Sequence, residues 1–425
     1  MLPGFGVSPK SLFFFIPKIG GYRGLNGLHK ESPELRTTMD KAKRIKSKTP
    51  SSKKSSQYQR LVIKLGTNLL TGGSGRLDLP TMAGLAGQVA QLHGQGREII
   101  LVSSGAIAAG RDKLGADRNR KDIAFRQVLA AVGQGCLMHT YEQLFDKHGI
   151  VVAQALLTKR DLSDRAGYLN ARNTLLSLLS LGVVPIINEN DVVATDEIKE
   201  AKFGDNDNLS AMVANLVDAD LLVLLSDVTG LHTSDPRKDP EARIIPTVKK
   251  IDAEIEGMAG GAGTSRGTGG MATKIEAAKV ATRSAIAVVI TEGIIPNVIV
   301  RLAEGESIGT LFLPTTTKVE SRQRWMISRL ASRGKIIVDD GAAAALKKRK
   351  GSLLPAGIKG VEREFKRGDM VDIVDLQGNR IACGISNYSA IDIQAMKGAQ
   401  SEDIMAILGY EYGAEVVHRN NLVVL

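Results

Sequence analysis

The sequence predicts an α/β protein: a mostly parallel β-sheet with helices on both faces, followed by a small, mainly β domain. Three observations predict it. From Arg60 onward, short apolar runs alternate with segments of helical spacing. The residues just after the apolar runs are small, polar or glycine. From Lys335 the pattern changes to short strands punctuated by Gly-Asp and Gln-Gly-Asn turns.

Taken in order, "RLVIKLGTNLL" reads as a strand ending in a glycine turn, and "TMAGLAGQVAQLHGQG" as a helix closed by glycine. "REIILVSSGAIAAG" is strand, small-residue turn and helix start. "IVVAQALL" is a strand. "YLNARNTLLSLLSLG" is a helix leading into the strand and loop "VVPIINEND". "LSAMVANLVDA" and "DLLVLLSDVTG" repeat that order, as do "KIEAAKVATRSA" and "IAVVITEG". Such alternation implies right-handed crossovers and a parallel sheet covered on both faces. "KIIVDDGAAAAL", "DMVDIVDLQGNRIACGISNY" and "AEVVHRNNLVVL" supply the short strands of the second domain. The expected organisation is a leader over 1–57, an α/β domain over 58–315, a linker over 316–334 and a β domain over 335–425.

Bulk properties narrow the function classes. A chain of 425 residues is long enough for two or three domains with real cores. Aromatics at 4% are sparse for a protein that stacks nucleic-acid bases. Cys136 and Cys383 are far apart, so neither a disulfide scaffold nor a zinc site is expected, and a reducing cytoplasm fits. Net charge is +11. Residues 1–57 hold 12 Lys/Arg and 3 Asp/Glu, which is +9, leaving +2 for the remainder. The basic character therefore sits in the leader, and RNA is not an expected partner of the folded body. The Lys/Ser run "KAKRIKSKTPSSKKSS" reads as disordered. "SLFFFIP" is too short for a membrane span, and Glu31, Glu34 and Asp40 count against a transit peptide. Met39 would serve as an internal start.

Ligands of doubly wound sheets bind beyond the carboxyl ends of the strands. The loops there read Lys64 to Asn68, Ser103 to Ala106, Asn188 to Asp191, and Ser226-Asp227. Lys64 follows Val62 and Ile63. It is either an edge-strand lysine facing water or a cation held over an anion. "GTGGMATK", Gly267 to Lys274, is either a flexible linker or an anion cradle at a helix start. It is neither a Walker A loop nor a Rossmann fingerprint. "NEND" and "GDNDN" cluster Asn188, Glu189, Asn190, Asp191, Asp205, Asn206, Asp207 and Asn208. Such acids want a metal, a cationic ligand or lysines. The six histidines are scattered, so histidine acid–base chemistry is not suggested. Two lysines, a glycine cradle and no evident base point to phosphoryl transfer, which needs positioning and charge neutralisation. An acceptor that is already ionised needs no base.

At this point the chain resembles a known family. "VIKLGTNLLTGG", "LVSSGAIAAGRDKLG", "QVLAAVGQG", "YLNARNT", "VPIINENDVVAT", "GDNDNLSA", "DVTGLHTSDPR" and "GTGGMATK" together look like the glutamate 5-kinases, of the amino-acid kinase (acetylglutamate kinase-like) three-layer sandwich. "IIVDDGAAAALKKRKGSLLPAGI" and "ILGYEYGAEVVHRNNLVVL" look like the PUA domain that many of them carry. The resemblance spans roughly 58–425. It implies ATP-dependent phosphorylation of the glutamate side-chain carboxylate, the first step of proline synthesis, with proline as inhibitor. It implies that Lys64 and Lys274 stabilise the transferred phosphoryl group. Ser104, Asn188, Asp191 and Asn206 would hold glutamate, and Asp205 and Asp207 would position substrate and lysines. Lys64, Ser226 and Asp227, with Thr268, Gly269, Gly270, Met271, Ala272, Thr273 and Lys274, would bind ATP. Magnesium would ride mainly on the nucleotide phosphates, with no ligand set of the protein's own. A cytoplasmic homo-oligomer, dimer or tetramer, is implied, with the next enzyme of the pathway as a candidate partner and no membrane contact. The segment before "GDNDN", which includes Lys199 and Lys202, is longer by a few residues than the family's pattern. The leader has no counterpart.

Overall fold

In the computed structural model, which describes residues 58–116, 122–194, 206–259, 270–317, 332–349 and 351–425, the first strand already sets the layers. β1 (Arg60–Leu65) is buried from Leu61 onward. Alternate side chains of a strand point to opposite faces. Leu61, Ile63 and Leu65 accordingly enter one apolar cluster, and Val62 enters another. The strand is covered on both sides, so its apolar run is continuous rather than alternating.

Seven further strands complete this sheet: β2 (Glu98–Ser103), β3 (Val152–Leu157), β4 (Val184–Glu189), β5 (Leu221–Ser226), β6 (Thr247–Val248), β7 (Ala287–Glu292) and β8 (Thr310–Phe312). Their order is β3-β4-β2-β1-β5-β7-β8-β6. Pairing is parallel except between β7 and β8. β1 lies between β2 and β5, with Lys64 level with Val102 and Leu224. The helices Leu79–Gly94 and Ile123–Asp146 pack on the face of Ile63. The helices Asn206–Leu216 and Met271–Arg283 pack on the face of Val62. Strand periodicity puts Lys64 on that second face. Full burial of the apolar side chains of β1 contributes roughly 1.5–3 kcal/mol each.

The helices Ala106–Leu114 and Ile123–Asp146 cross with their backbones in contact. A Cβ on Gly110 would lie 1.9 Å from the Leu129 carbonyl oxygen, and one on Gly133 would lie 1.8 Å from that of Ala106. Only glycine permits the crossing. The 24-residue helix Ile123–Asp146 is absent from the sequence expectations. Ile123 and Val128 are exposed while Gln134 is buried, which erases the one-sided apolar stripe.

The second sheet contains β9 (Gly334–Val338), β10 (Ile358–Glu362), β11 (Met370–Val374), β12 (Arg380–Ile385) and β13 (Leu422–Val424), in the order β10-β9-β11-β12-β13. It has its own core, built on Ile336, Val371, Ile373 and Tyr388. "DDGAAAAL", expected within a strand segment, is instead the start of the helix Asp340–Arg349. Alanine is the best helix former, and the Asp339 carboxylate accepts from the Ala342 amide at 2.9 Å. The second domain meets the first through Arg165 and Asp369, 2.7 Å apart, and through Leu169 packed with Met370, Cys383, Ile385 and Val423. Among the described residues no helix is long and apolar enough to cross a membrane.

Candidate active site

A cleft of about 500 Å³ opens at the carboxyl ends of β1, β2, β4 and β5, and is lined by Lys64, Ser104, Asn188, Asp191, Asn206, Ser226, Asp227 and Lys274. These eight expected residues come from segments far apart in sequence. Asp207 lies beneath them. Asp205, Thr268, Gly269, Lys199 and Lys202 fall outside the described residues. Gly270, Met271, Ala272 and Thr273 start the helix Met271–Arg283 but do not line the cleft.

The floor is a buried charge triad. The Asp207 carboxylate, 1% exposed, is 2.6 Å from Lys64 Nζ through Oδ1 and 3.1 Å from Lys274 Nζ through Oδ2. Lys64 and Lys274 are themselves 6% and 3% exposed. The edge-strand alternative for Lys64 is thereby excluded. Thr273 Oγ1 lies 2.9 Å from the same Oδ2. Burial alone would push the Asp207 carboxyl up. The ammonium groups of Lys64 and Lys274, with the Lys64 and Thr273 hydrogen bonds, outweigh it and hold the pKa below the usual range. Asp207 also occupies the first turn of its helix, where the backbone dipole favours a carboxylate. Lys274 occupies the first turn of the next helix, where that dipole disfavours an ammonium, and Asp207 offsets it.

Beside the triad runs an amide network. Asn206 Nδ2 donates to the Ser103 carbonyl at 3.0 Å, to Ser104 Oγ at 2.9 Å and to Asn188 Oδ1 at 3.2 Å. Asn188 Nδ2 donates to Gln134 Oε1 at 2.8 Å. Asn206 Oδ1 is buried without a partner among the described residues. Such a group in a cleft is suited to accept from a ligand.

Asp191, Arg126 and Arg111 also line the cleft. Gln127 Nε2 donates to the Asp191 and Val192 carbonyls at 3.3 and 3.0 Å, tying that loop to the helix Ile123–Asp146. Burial pushes the Asp191 carboxyl up to about 6, against the lowering effect of Arg126. Near β5, Asn68 Nδ2 donates to Asp227 Oδ2 and Ser226 Oγ to Oδ1, both at 2.9 Å. The Asn68 bond first, then the Ser226 bond against burial, keeps Asp227 below the usual range.

Among the described residues no group of three or more His, Cys, Asp or Glu side chains is arranged to hold a metal ion. The carboxylates of Asp207 and Asp227 are engaged by lysines, amides and hydroxyls.

Asn68, Gln134, Arg111 and Arg126 are site residues that sequence reading does not single out. Asn68 was legible, since it ends the post-strand loop after Lys64. Gln134 stands within "QVLAAVGQG" without a local signal for its role. The arginines stand on the two helices that cross at Gly110 and Gly133.

Residues 59–292 match the model of the amino acid kinase family, and residues 334–408 that of the PUA domain. A glutamate 5-kinase from Dehalococcoides mccartyi (strain CBDB1) is 58% identical over 368 residues, 87% of this chain and 99% of that protein. One from Herpetosiphon aurantiacus is 53% identical over 366 residues, 86% of this chain and 98% of its own. One from Deinococcus radiodurans is 48% identical over 366 residues, 86% of this chain and 100% of its own. UMP kinase from Bacillus anthracis has a TM-score of 0.42 at 16% identity, covering 61% of this chain and 97% of its own, a likeness too slight to bear on function. A lysine-bridged cleft on a parallel sheet, joined to relatives of this identity and coverage, places the chain in the glutamate 5-kinase family of amino acid kinases, with a PUA domain after the kinase domain.

Proposed function

We propose that the chain transfers the γ-phosphoryl group of ATP to the side-chain carboxylate of L-glutamate, giving L-glutamyl 5-phosphate and ADP, as the first step of proline biosynthesis. The observation that carries this reading is the Asp207 carboxylate bridging two buried lysines at 2.6 and 3.1 Å on the cleft floor. A carboxylate oxygen of glutamate forms the new bond to Pγ, and the bond from Pγ to the bridging oxygen of ADP breaks. The acceptor is ionised at neutral pH, so no general base is required. Lys64 and Lys274 meet the charge spread over the equatorial phosphoryl oxygens, where preorganised cations act most strongly. Asp207 acts as a positioning residue, holding both ammonium groups in place.

Ser104, Asn188, Asp191 and Asn206 hold glutamate, with Asp191 facing its ammonium group. Ser226 and Asp227 hold the nucleotide with the segment from Thr268 to Lys274. Magnesium would be carried by the nucleotide phosphates, where it would neutralise part of their charge. Proline competes with glutamate at the same wall, and the active form is a dimer or tetramer in the cytoplasm. Glutamate-dependent release of ADP tests the reaction. An apparent KM for glutamate that does not rise with added proline would count against the shared site. A mass in solution equal to one chain would count against the oligomer.

A further inference from the structure

Glutamate phosphorylated on its side chain still presents a second carboxylate and an ammonium group to the protein. The lysines are engaged with the phosphoryl end, and Asp191 suits the ammonium. The remaining carboxylate needs a cation elsewhere in the cleft. Two guanidinium side chains line it: Arg111, on the helix Ala106–Leu114, and Arg126, on the helix Ile123–Asp146.

Their placement is built into the fold. Gly110 precedes Arg111 and touches the Leu129 carbonyl, three residues after Arg126. The close crossing therefore sets both arginines on one rim, next to the Asp191 loop that Gln127 ties down. Arg126 feels desolvation first, which lowers its pKa. Asp191 raises it and neighbouring Arg111 lowers it. Two guanidinium groups lining one cleft favour an anion between or beside them.

We propose that Arg126, with Arg111 beside it, receives the α-carboxylate of the amino-acid substrate and so sets specificity for α-amino acids over simple ω-amino acids. This rests on the glutamate kinase reading. It differs from it by naming what selects the substrate's far end. A planar guanidinium can grip a carboxylate through two parallel hydrogen bonds, whereas an ω-amino acid leaves it with no anion to grip. Loss of one partner of such a desolvated pair corresponds to about 100-fold in kcat/KM.

The test compares glutamate with 4-aminobutyrate, which keeps the ammonium group and the accepting carboxylate but lacks the α-carboxylate. The full-length wild-type chain and the Arg126→Ala, Arg126→Lys and Arg111→Ala variants would be assayed for acyl phosphate. In the wild type, kcat/KM should favour glutamate by about 100-fold or more. In Arg126→Ala that preference should shrink to less than about 10-fold, with Arg126→Lys in between. Any change in Asp191 titration on removing Arg126 acts on both substrates and cancels in the ratio. A preference for glutamate unchanged in Arg126→Ala, or shared fully by Arg126→Lys and Arg111→Ala alike without loss, would overturn the proposal. If Arg126→Ala does not fold, Arg126→Lys and Arg111→Ala decide by the same ratio. A wild type that phosphorylates glutamate leaves the reaction reading intact whichever way the ratio falls. A wild type that phosphorylates neither substrate would overturn both.

Discussion

Lys64 Nζ lies 2.6 Å from the Asp207 carboxylate, in a site where both side chains are almost fully buried. One comes from the central strand and the other from the first turn of a helix packed on that strand's face. Burying one charge without its partner is far more costly than burying both. The pair therefore couples stability to chemistry: what holds the lysine in place also holds the fold.

Asp207→Asn removes the shared counter-charge of Lys64 and Lys274. The variant should lose about 3–5 kcal/mol of stability, as for breaking a buried ion pair, and turnover should fall by about 100-fold or more. Thermal melts and ADP release check the two parts. The native carboxyl titrates below its ordinary value of 3.8, so its stabilisation is present above that pH and is lost as pH falls through the lower folded value. The acid limb of the melting-temperature profile should be shallower in Asp207→Asn.

Lys274→Ala should lower kcat by about 100-fold or more while raising the KM for ATP less than about 10-fold, if the ammonium meets charge that develops in the transition state as proposed. Steady-state kinetics with varied ATP separate the two. Equal losses in both would mark Lys274 as a plain binding residue.

If Asp191 faces the ammonium group of glutamate as proposed, glutamate binding should depend on pH. Its carboxyl is pushed up to about 6 by burial. Only the ionised form pairs with an ammonium group, so the KM for glutamate should rise as pH falls through about 6. The KM for ATP should not share that inflection. Asp191→Asn should raise the KM for glutamate and remove the inflection.

Gly133→Ala should push apart the helices Ala106–Leu114 and Ile123–Asp146, since its Cβ would sit 1.8 Å from the Ala106 carbonyl oxygen. A loss of about 2–4 kcal/mol is expected for backbone overpacking. The KM for glutamate should rise as Arg126 and Gln134 shift. A melt checks the first part and a glutamate titration the second.

The kinase-domain sheet was legible because its strands are short apolar runs separated by glycine or polar loops. The cleft-lining residues at or just past the ends of those runs, such as Lys64, Ser104, Asn188 and Asp227, were legible for the same reason. Lys64 shows the limit: sequence left open an edge strand, and only the placement of β1 between β2 and β5 buries it. Arg126 and Gln134 were not legible, because no local pattern says which face of a helix meets a loop from another crossover. The "DDGAAAAL" segment misled for a simpler reason. Apolar strand and alanine helix follow one another, and the boundary lies in the Asp339 cap rather than in the apolar pattern.

The most direct measurement is trapping of the acyl phosphate. The full-length chain would be incubated with ATP and magnesium and with glutamate, aspartate or acetylglutamate, and hydroxylamine would convert any acyl phosphate to a hydroxamate. Hydroxamate from glutamate alone, abolished in Lys64→Ala, is the expected result. Folded protein that yields none from glutamate, or yields as much from aspartate or acetylglutamate, would contradict a glutamate-specific kinase built on the Lys64–Asp207–Lys274 triad.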